Sequence, residues 1–300
     1  METWMGNLAV QNEIVKVMRN REVMIHKMYV DSEGFTKRIT KRRLYASGTD
    51  QFKTIQRMYK YNTNGLSFHY YIGSNVIDLK KINMPMLHKI FTPEYRLFKK
   101  KWDEKLGNPA YYLDKNMIWD FDDEALPMNA FKEADKLCLW LTNEGYSPMM
   151  VFSGGKGFHV WLNKEESLKL VGQTWTDVQH YKEPHKSLGH IYRDVLQDCM
   201  VKATGHELRQ DDNSPILAQG MIRCPYSIHP KTGQIVYPLD KENLEKLRKM
   251  DEKSQVIDIA KDIHDWESDA ENYFGEDEGM KLYHPPMSKV FNRGMPIWEA

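Results

Sequence analysis

A chain of 300 residues, 41% apolar and 28% charged, has room for one large domain or for a core with a smaller appendage. Lys plus Arg equal Asp plus Glu at 42 each, so no overall positive charge favours a nucleic-acid backbone, although a locally basic groove offset by an acidic segment fits the same sum. No apolar run reaches the roughly 18–20 residues of a membrane helix, and Met1–Asn20 carries Glu2 and Glu13 with no signal-peptide apolar region, so the chain reads as soluble, intracellular and independent of membranes.

The first hundred residues mix short strand-like stretches, Val23–Ile25 and Leu66–Ile72, with basic, turn-rich connections. Basic residues gather at Lys37, Arg38, Lys41, Arg42 and Arg43, and again at Arg96, Lys99, Lys100 and Lys101; acidic residues gather from Asp262 to Glu278. From Asn116 the pattern sharpens. Met117–Phe121 reads as a buried strand, and Pro127 opens a helix whose apolar positions Phe131, Ala134, Cys138 and Leu141 keep helical spacing up to a terminating Gly145. Met149–Phe152 is a second strand, Gly154–Gly157 a turn, and Phe158–Leu162 a third strand. This order implies an α+β fold with a mixed sheet and helices on one face. Leu188, Ile191, Tyr192, Val195, Leu196, Cys199 and Met200 trace a core helix that ends near Gly205. Ile222–Ser227 and Gln234–Pro238 follow as strands joined by the turn Pro230–Gly233, and beyond Asp240 the chain becomes helical and charged (Asn243–Met250, Val256–Ile263). The expected division is a core over 1–240 and a charged helical extension over 241–300, packed on the core or trailing it.

Three stretches carry chemistry. In Trp119-Asp120-Phe121-Asp122, strand alternation sends both carboxylates to one face and Phe121 to the core. Adjacent carboxylates repel unless a cation lies between them, and Mg²⁺ is held by one or two carboxylates together with substrate phosphates. In Ser153–Trp161, three glycines allow close backbone approach to a ligand, with Lys156 and His159 beside the exposed amides; His159 and Trp161 share a strand face, read as polar. The spacing is not that of a Walker loop. The third stretch runs from Arg209-Gln210-Asp211-Asp212-Asn213 to Met221–Gly233, with Arg223 and His229 framing a Pro-Tyr-Ser turn. Cys138, Cys199 and Cys224 form no C-x-x-C pair. His180, His185, His190, Cys199 and His206 match no standard finger, so a structural zinc is not expected.

The order of the three stretches resembles the catalytic subunit of archaeo-eukaryotic primases, including primase-polymerases and their viral and plasmid relatives. Their first motif is an apolar strand ending D-x-D, matched by Ile118–Asp122. Their second is S-G-x-R/K-G-x-H-x-W, matched by Ser153–Trp161 with Lys156 at the basic position. Their third is an acidic residue a dozen positions before a basic one, then P-x-S-x-H-x-K-T-G, matched by Asp211, Arg223 and Pro225–Gly233. The resemblance covers roughly residues 115–240; Arg43-Leu44-Tyr45 and Tyr71–Ser74 are weaker candidates for substrate-contacting strands.

The resemblance implies a primase-polymerase core with RRM-like sheets flanked by helices. It implies two divalent ions, Mg²⁺ or Mn²⁺, held by Asp120, Asp122 and Asp211. Ser153, Lys156, Gly157, His159, Arg223 and His229 would hold the NTP or dNTP. Arg42, Arg43, Lys99, Lys100 and Lys231 become template-contact candidates on single-stranded DNA. A helicase or a primase large or accessory subunit is an implied partner. The setting would be cytoplasmic, at a nucleoid or viral replication site, or nuclear in a eukaryote. A gap-filling repair polymerase and an inactive primase-like initiator module are the alternative readings.

Overall fold

The computed structural model describes residues 8–30, 33, 36–44, 46, 48–60, 68–73, 75–77, 112–172, 184–207, 220–229, 232 and 234–263. In chain order the elements are α1 (Leu8–Met18), β1 (Val23–Val30), β2 (Thr36–Leu44), α2 (Thr49–Lys60), β3 (Phe68–Gly73), β4 (Asn75–Ile77), β5 (Tyr112–Lys115), β6 (Ile118–Asp122), α3 (Pro127–Asn143), β7 (Met149–Phe152), β8 (Gly157–Trp161), α4 (Lys164–Val171), α5 (Pro184–Thr204), β9 (Met221–Arg223), β10 (Tyr237–Pro238), α6 (Lys241–Leu247) and α7 (Val256–Ile263). The fold is α+β.

One four-stranded sheet has the order β10-β7-β8-β6. The β6–α3–β7 crossover sends β6 and β7 in the same direction, and β8 inserts between them as a hairpin partner of β7, forming a split β-α-β unit. The mixed sheet expected from element order is therefore antiparallel at each of its pairings. Strand alternation turns Trp119, Phe121, Met150, Phe152, Phe158 and Val160 to one face, all buried. Helices α3 and α5 cover that face. Phe131 of α3 lies 5.4 Å from the Phe158 ring, and Trp119 Nε1 donates to Leu196 O of α5 at 3.2 Å. Burying each such ring contributes about 2–3 kcal/mol.

Helix α3 begins where the sequence places it, because Pro127 occupies a first-turn position whose missing N–H costs nothing. Asp123 shapes the entry, its Oδ1 accepting from the N–H groups of Ala125 and Leu126 at 3.0 and 2.9 Å. Gly145, at φ 83, ends the helix, and Gly205, at φ 85, follows α5.

The second four-stranded sheet, β2-β1-β3-β9, is also antiparallel. Val23, Ile25, Tyr70, Ile72 and Ile222 form its buried face, with Phe52 of α2 5.1 Å from the Tyr70 ring. The opposite face carries Met24, His26, Tyr71 and Arg223 through the pairings Met24↔Tyr71 and Tyr71↔Arg223. The basic run Lys37–Arg43, expected in a turn-rich connection, lies inside β2 at the edge of this sheet.

A second departure follows Arg223. Ser227 N donates to Cys224 O at 3.1 Å and Tyr226 sits at φ 65, so the expected strand over Ile222–Ser227 stops at Arg223 and turns. The returning chain makes one bridge, Ile228↔Ile235, before β10 pairs Tyr237 with Phe152. Farther on, α6 opens with an Asp240–Asn243 capping box, and Arg248 grips Asp135 of α3 with two hydrogen bonds of 2.9 and 2.7 Å. Among the described residues no helix is long and apolar enough to cross a membrane.

Candidate active site

The face of the β10-β7-β8-β6 sheet opposite the two helices holds the chemistry. Asp120 and Asp122 stand on it side by side, each about a quarter exposed (22% and 26%), while Trp119 and Phe121 are buried behind them. The β6–β8 register sets Asp120 opposite His159 and Asp122 opposite Gly157. His159 Nε2 accordingly lies 3.4 Å from Asp120 Oδ1. Every residue of β8 is buried, so the face carrying His159 and Trp161 is enclosed by the protein, not the polar surface expected from sequence.

The hairpin between β7 and β8 is built around Ser153. Its hydroxyl oxygen accepts from the N–H groups of Gly155 (3.3 Å) and Gly157 (3.2 Å), and its own N–H donates to Gly157 O at 2.9 Å. Ser153 thus shapes the loop from a fully buried position. Lys156 reaches back from the loop to Asp122 Oδ2 (3.3 Å) and Glu124 Oε1 (3.1 Å). Partial burial pulls the Lys156 ammonium towards deprotonation, but the Asp122 and Glu124 carboxylates more than reverse this and raise its pKa.

His229 closes over the loop. A side-chain carbon placed on Gly155 would lie 2.6 Å from His229 Nε2, so only glycine lets the loop backbone approach that ring. On the other side of the ring, Nδ1 accepts from Thr232 N–H at 3.3 Å, which leaves the Nε2 proton of the neutral tautomer facing the loop. Thr232 Oγ1 also donates to Gly154 O, tying the two motifs together.

Arg223, at the end of β9, enters from the other sheet. Burial first, then the Arg223 charge and repulsion by any proton added to the His229 ring, hold the His159 imidazole pKa down at about 3 from 6.5. His159 Nδ1 and Arg223 Nε are buried with no hydrogen-bond partner among the described residues. Such atoms are costly unless something polar meets them.

Stability depends on pH as a result. The unfolded chain takes up a proton on His159 near pH 6.5, whereas the folded chain resists down to about pH 3. This stability is complete above pH 6.5 and falls as pH drops towards 3, by at most about 1.4 kcal/mol per unit. In metal-free buffer, denaturant unfolding at pH 7 and pH 5 is expected to show wild type losing about 2 kcal/mol more than His159→Asn. Equal losses would refute the assignment.

The structure thus gathers Asp120, Asp122, Ser153, Lys156, Gly157, His159, Arg223 and His229 around one site. Arg42 and Arg43 stand in β2, separated from β9 by β1 and β3. Asp211, Lys99, Lys100 and Lys231 lie outside the described residues, as does the acidic stretch from 264 onward. Among the described residues no three His, Cys, Asp or Glu side chains converge as a metal cluster. The donor set nevertheless suits a hard divalent cation, because two partly exposed carboxylates on one strand face leave coordination positions for phosphate oxygens. Glu124 and Thr232 are additions to the site that residue type alone did not flag; their signal was proximity to the D-x-D strand and to His229.

No family model matches the chain. It is 29% identical over 171 residues to the DNA primase small subunit PriS of Pyrobaculum islandicum, covering 45% of this chain and 55% of that protein. The likeness to PriS of Pyrobaculum calidifontis is 27% over 185 residues, 50% of this chain and 59% of the relative. To the DNA primase of Autographa californica nuclear polyhedrosis virus it is 25% over 163 residues, 47% and 61%. The chain thus spans less than two thirds of the length of the curated relatives it matches. A solved structure, the polymerase domain from Mycobacterium tuberculosis Ligase D in complex with DNA, aligns with a TM-score of 0.47 at 11% identity over 84% of both chains. The three ordered motifs, two of them facing each other across β6 and β8, and the sequence likeness to archaeal and viral primases all support the archaeo-eukaryotic primase superfamily.

Proposed function

We propose that the chain is a DNA primase or primase-polymerase, joining NTPs or dNTPs to a 3′-hydroxyl on a single-stranded DNA template. One observation carries the reading. Two carboxylates that call for a cation adjoin Lys156, His229 and Arg223, donors that call for an anion, around the buried neutral His159. A metal-bound triphosphate answers both. The likeness to DNA primases supports the same reading. The catalytic unit is placed at residues 1–240, with 241–300 as an appendage.

Asp120 and Asp122, with Asp211, would hold two divalent ions, Mg²⁺ or Mn²⁺, which when bound supply Lewis-acid polarisation of phosphoryl oxygens and of the attacking hydroxyl. Each remaining residue has a distinct task. Lys156 holds its ammonium at the rim of the site, in reach of a phosphate oxygen without leaving the loop. His229, with its proton fixed on Nε2 by Thr232, donates beside the Gly155 backbone. Arg223 Nε offers a buried donor to the triphosphate, where water-excluded hydrogen bonds gain strength as negative charge develops on the leaving group. Neutral His159 beside Asp120 orients that carboxylate without neutralising it. Ser153 keeps the loop amides in place.

The test is incubation with unprimed single-stranded DNA, Mg²⁺ or Mn²⁺, and labelled nucleotides of both sugar types, beside a primed template. Short products on the unprimed strand are the expected result. Extension of the primed template alone would assign the chain to gap-filling synthesis on the same site. Incorporation in neither arm, with no triphosphate binding, would leave a primase-like initiator module and overturn the enzymatic reading.

A further inference from the structure

The candidate site is divided between two sheets, Arg223 on one and the aspartates with His159 on the other. Its geometry therefore depends on what holds the sheets in register. A buried side chain outside the three motifs spans them. Arg21, only 5% exposed, follows Asn20, whose left-handed φ of 57 closes α1, and Arg21 N donates to Met18 O at 3.0 Å. Its Nη1 donates to Gly73 O at 3.1 Å, at the end of β3. Its Nη2 donates to the Asn116 side-chain oxygen, two residues before β6 begins. Asn116 Nδ2 in turn donates to Leu162 O at 2.9 Å, directly after β8.

Each anchor lies beside a strand that carries the chemistry. Gly73 pairs with Met221 of β9, the strand that ends in Arg223. Asn116 leads into the strand of Asp120 and Asp122, and Leu162 follows the strand of His159. Burial raises the pKa of the Cys224 thiol, and the Arg21 charge opposes it. A buried guanidinium is expensive to desolvate, and an apolar residue of similar length would fill the space more cheaply. A planar fork with donors pointing two ways is what fixes a backbone carbonyl and a side-chain amide at a set distance and angle.

We infer that Arg21 is a positioning residue, a clasp between the two sheets that sets where Arg223 stands relative to Asp120 and His159. Its hydrogen bonds go to Gly73 and Asn116, neither of them a residue of the candidate site. Arg21→Met or Asn116→Ala frees one sheet to shift against the other, and a displacement of about 1 Å between such groups costs on the order of a hundredfold in rate.

The test uses the full chain with nitroxide labels at Asp50→Cys on α2 and Leu139→Cys on α3, both exposed, while the native cysteines are buried. Pulsed electron–electron resonance is expected to give one narrow distance in wild type, a broader or shifted distribution in Arg21→Met, and an intermediate one in Arg21→Lys. Asn116→Ala substitutes if Arg21→Met does not fold. An unchanged distribution in a folded variant, even one with a lower melting temperature, overturns the clasp.

The nucleotide arm rests on the polymerase reading. Arg21→Met is expected to raise the Kd of a fluorescent triphosphate about tenfold, with little further effect in an Arg223→Met background. Additive effects of the two substitutions would count against the clasp. A broadened distribution in a protein that binds no triphosphate would uphold the clasp and sink the polymerase reading.

Discussion

Asp120→Asn and Asp122→Asn are each expected to lower nucleotide incorporation about a thousandfold or more, roughly 4 kcal/mol of transition-state stabilisation, while the fold persists. The two carboxylates face away from the core, and their backbones pair with His159 and Gly157 whether the side chain is acid or amide. Neither is needed for packing, because Trp119 and Phe121 supply the buried side of the strand. The substitutions remove one negative charge each from a pair that must attract divalent metal, and an amide is a weak ligand for Mg²⁺. The two variants should also differ. In Asp122→Asn, Lys156 keeps only its contact with Glu124, so its ammonium loses its inner partner. In Asp120→Asn, His159 Nε2 faces an amide in place of a carboxylate. Incorporation on a primed template, Mn²⁺ binding by electron paramagnetic resonance and the melting temperature read these effects separately. Normal extension by both variants would remove the catalytic reading, and collapse of the fold in both would show that the pair is structural.

How far sequence carries such an argument varies along the chain. The Asp120/Asp122 face followed from alternation alone, because Ile118–Asp122 is short, apolar and bounded. Gly145 and Gly205 marked helix ends because few other residues adopt a left-handed backbone cheaply. Strand β2 was hidden, since Ile39 and Leu44 are the only aliphatics in a nine-residue run with five basic residues, and a sheet edge tolerates that composition. Helices α1 and α2 lie outside the elements expected from sequence, although Phe52 and Ile55 are both buried at helical spacing. The enclosure of His159 was illegible because strand β9, from the other sheet, brings Arg223 towards it from 64 positions later in the chain. Arg21 and Asn116 lie 95 residues apart and match no motif, so only the folded chain brings them together.

Gly157→Ala is the substitution expected to do most damage with the fewest atoms. Gly157 opens β8 opposite Asp122, its N–H donates to Ser153 Oγ and its carbonyl accepts from Ser153 N. A methyl group there would overlap the Asp122 carboxylate and the Phe121 carbonyl, and the second is strand backbone that cannot swing aside. Relief requires β6 and β8 to separate at the site, breaking the pairing that sets Asp122 beside Lys156 and straining the Asp123 N–H bond to Lys156 O. Overpacking of this kind costs about 3 kcal/mol, which in a chain of this size lowers the melting temperature by roughly 6 °C. Incorporation should fall by more than stability explains, since Asp122 moves while the protein remains folded. Gly155→Ala provides the control: its methyl meets the His229 ring, a side chain able to rotate, so the expected effect is weaker triphosphate binding with little thermal loss. If both alanine variants melt and polymerise like wild type, the close approach of loop, aspartate and histidine is not what the site depends on.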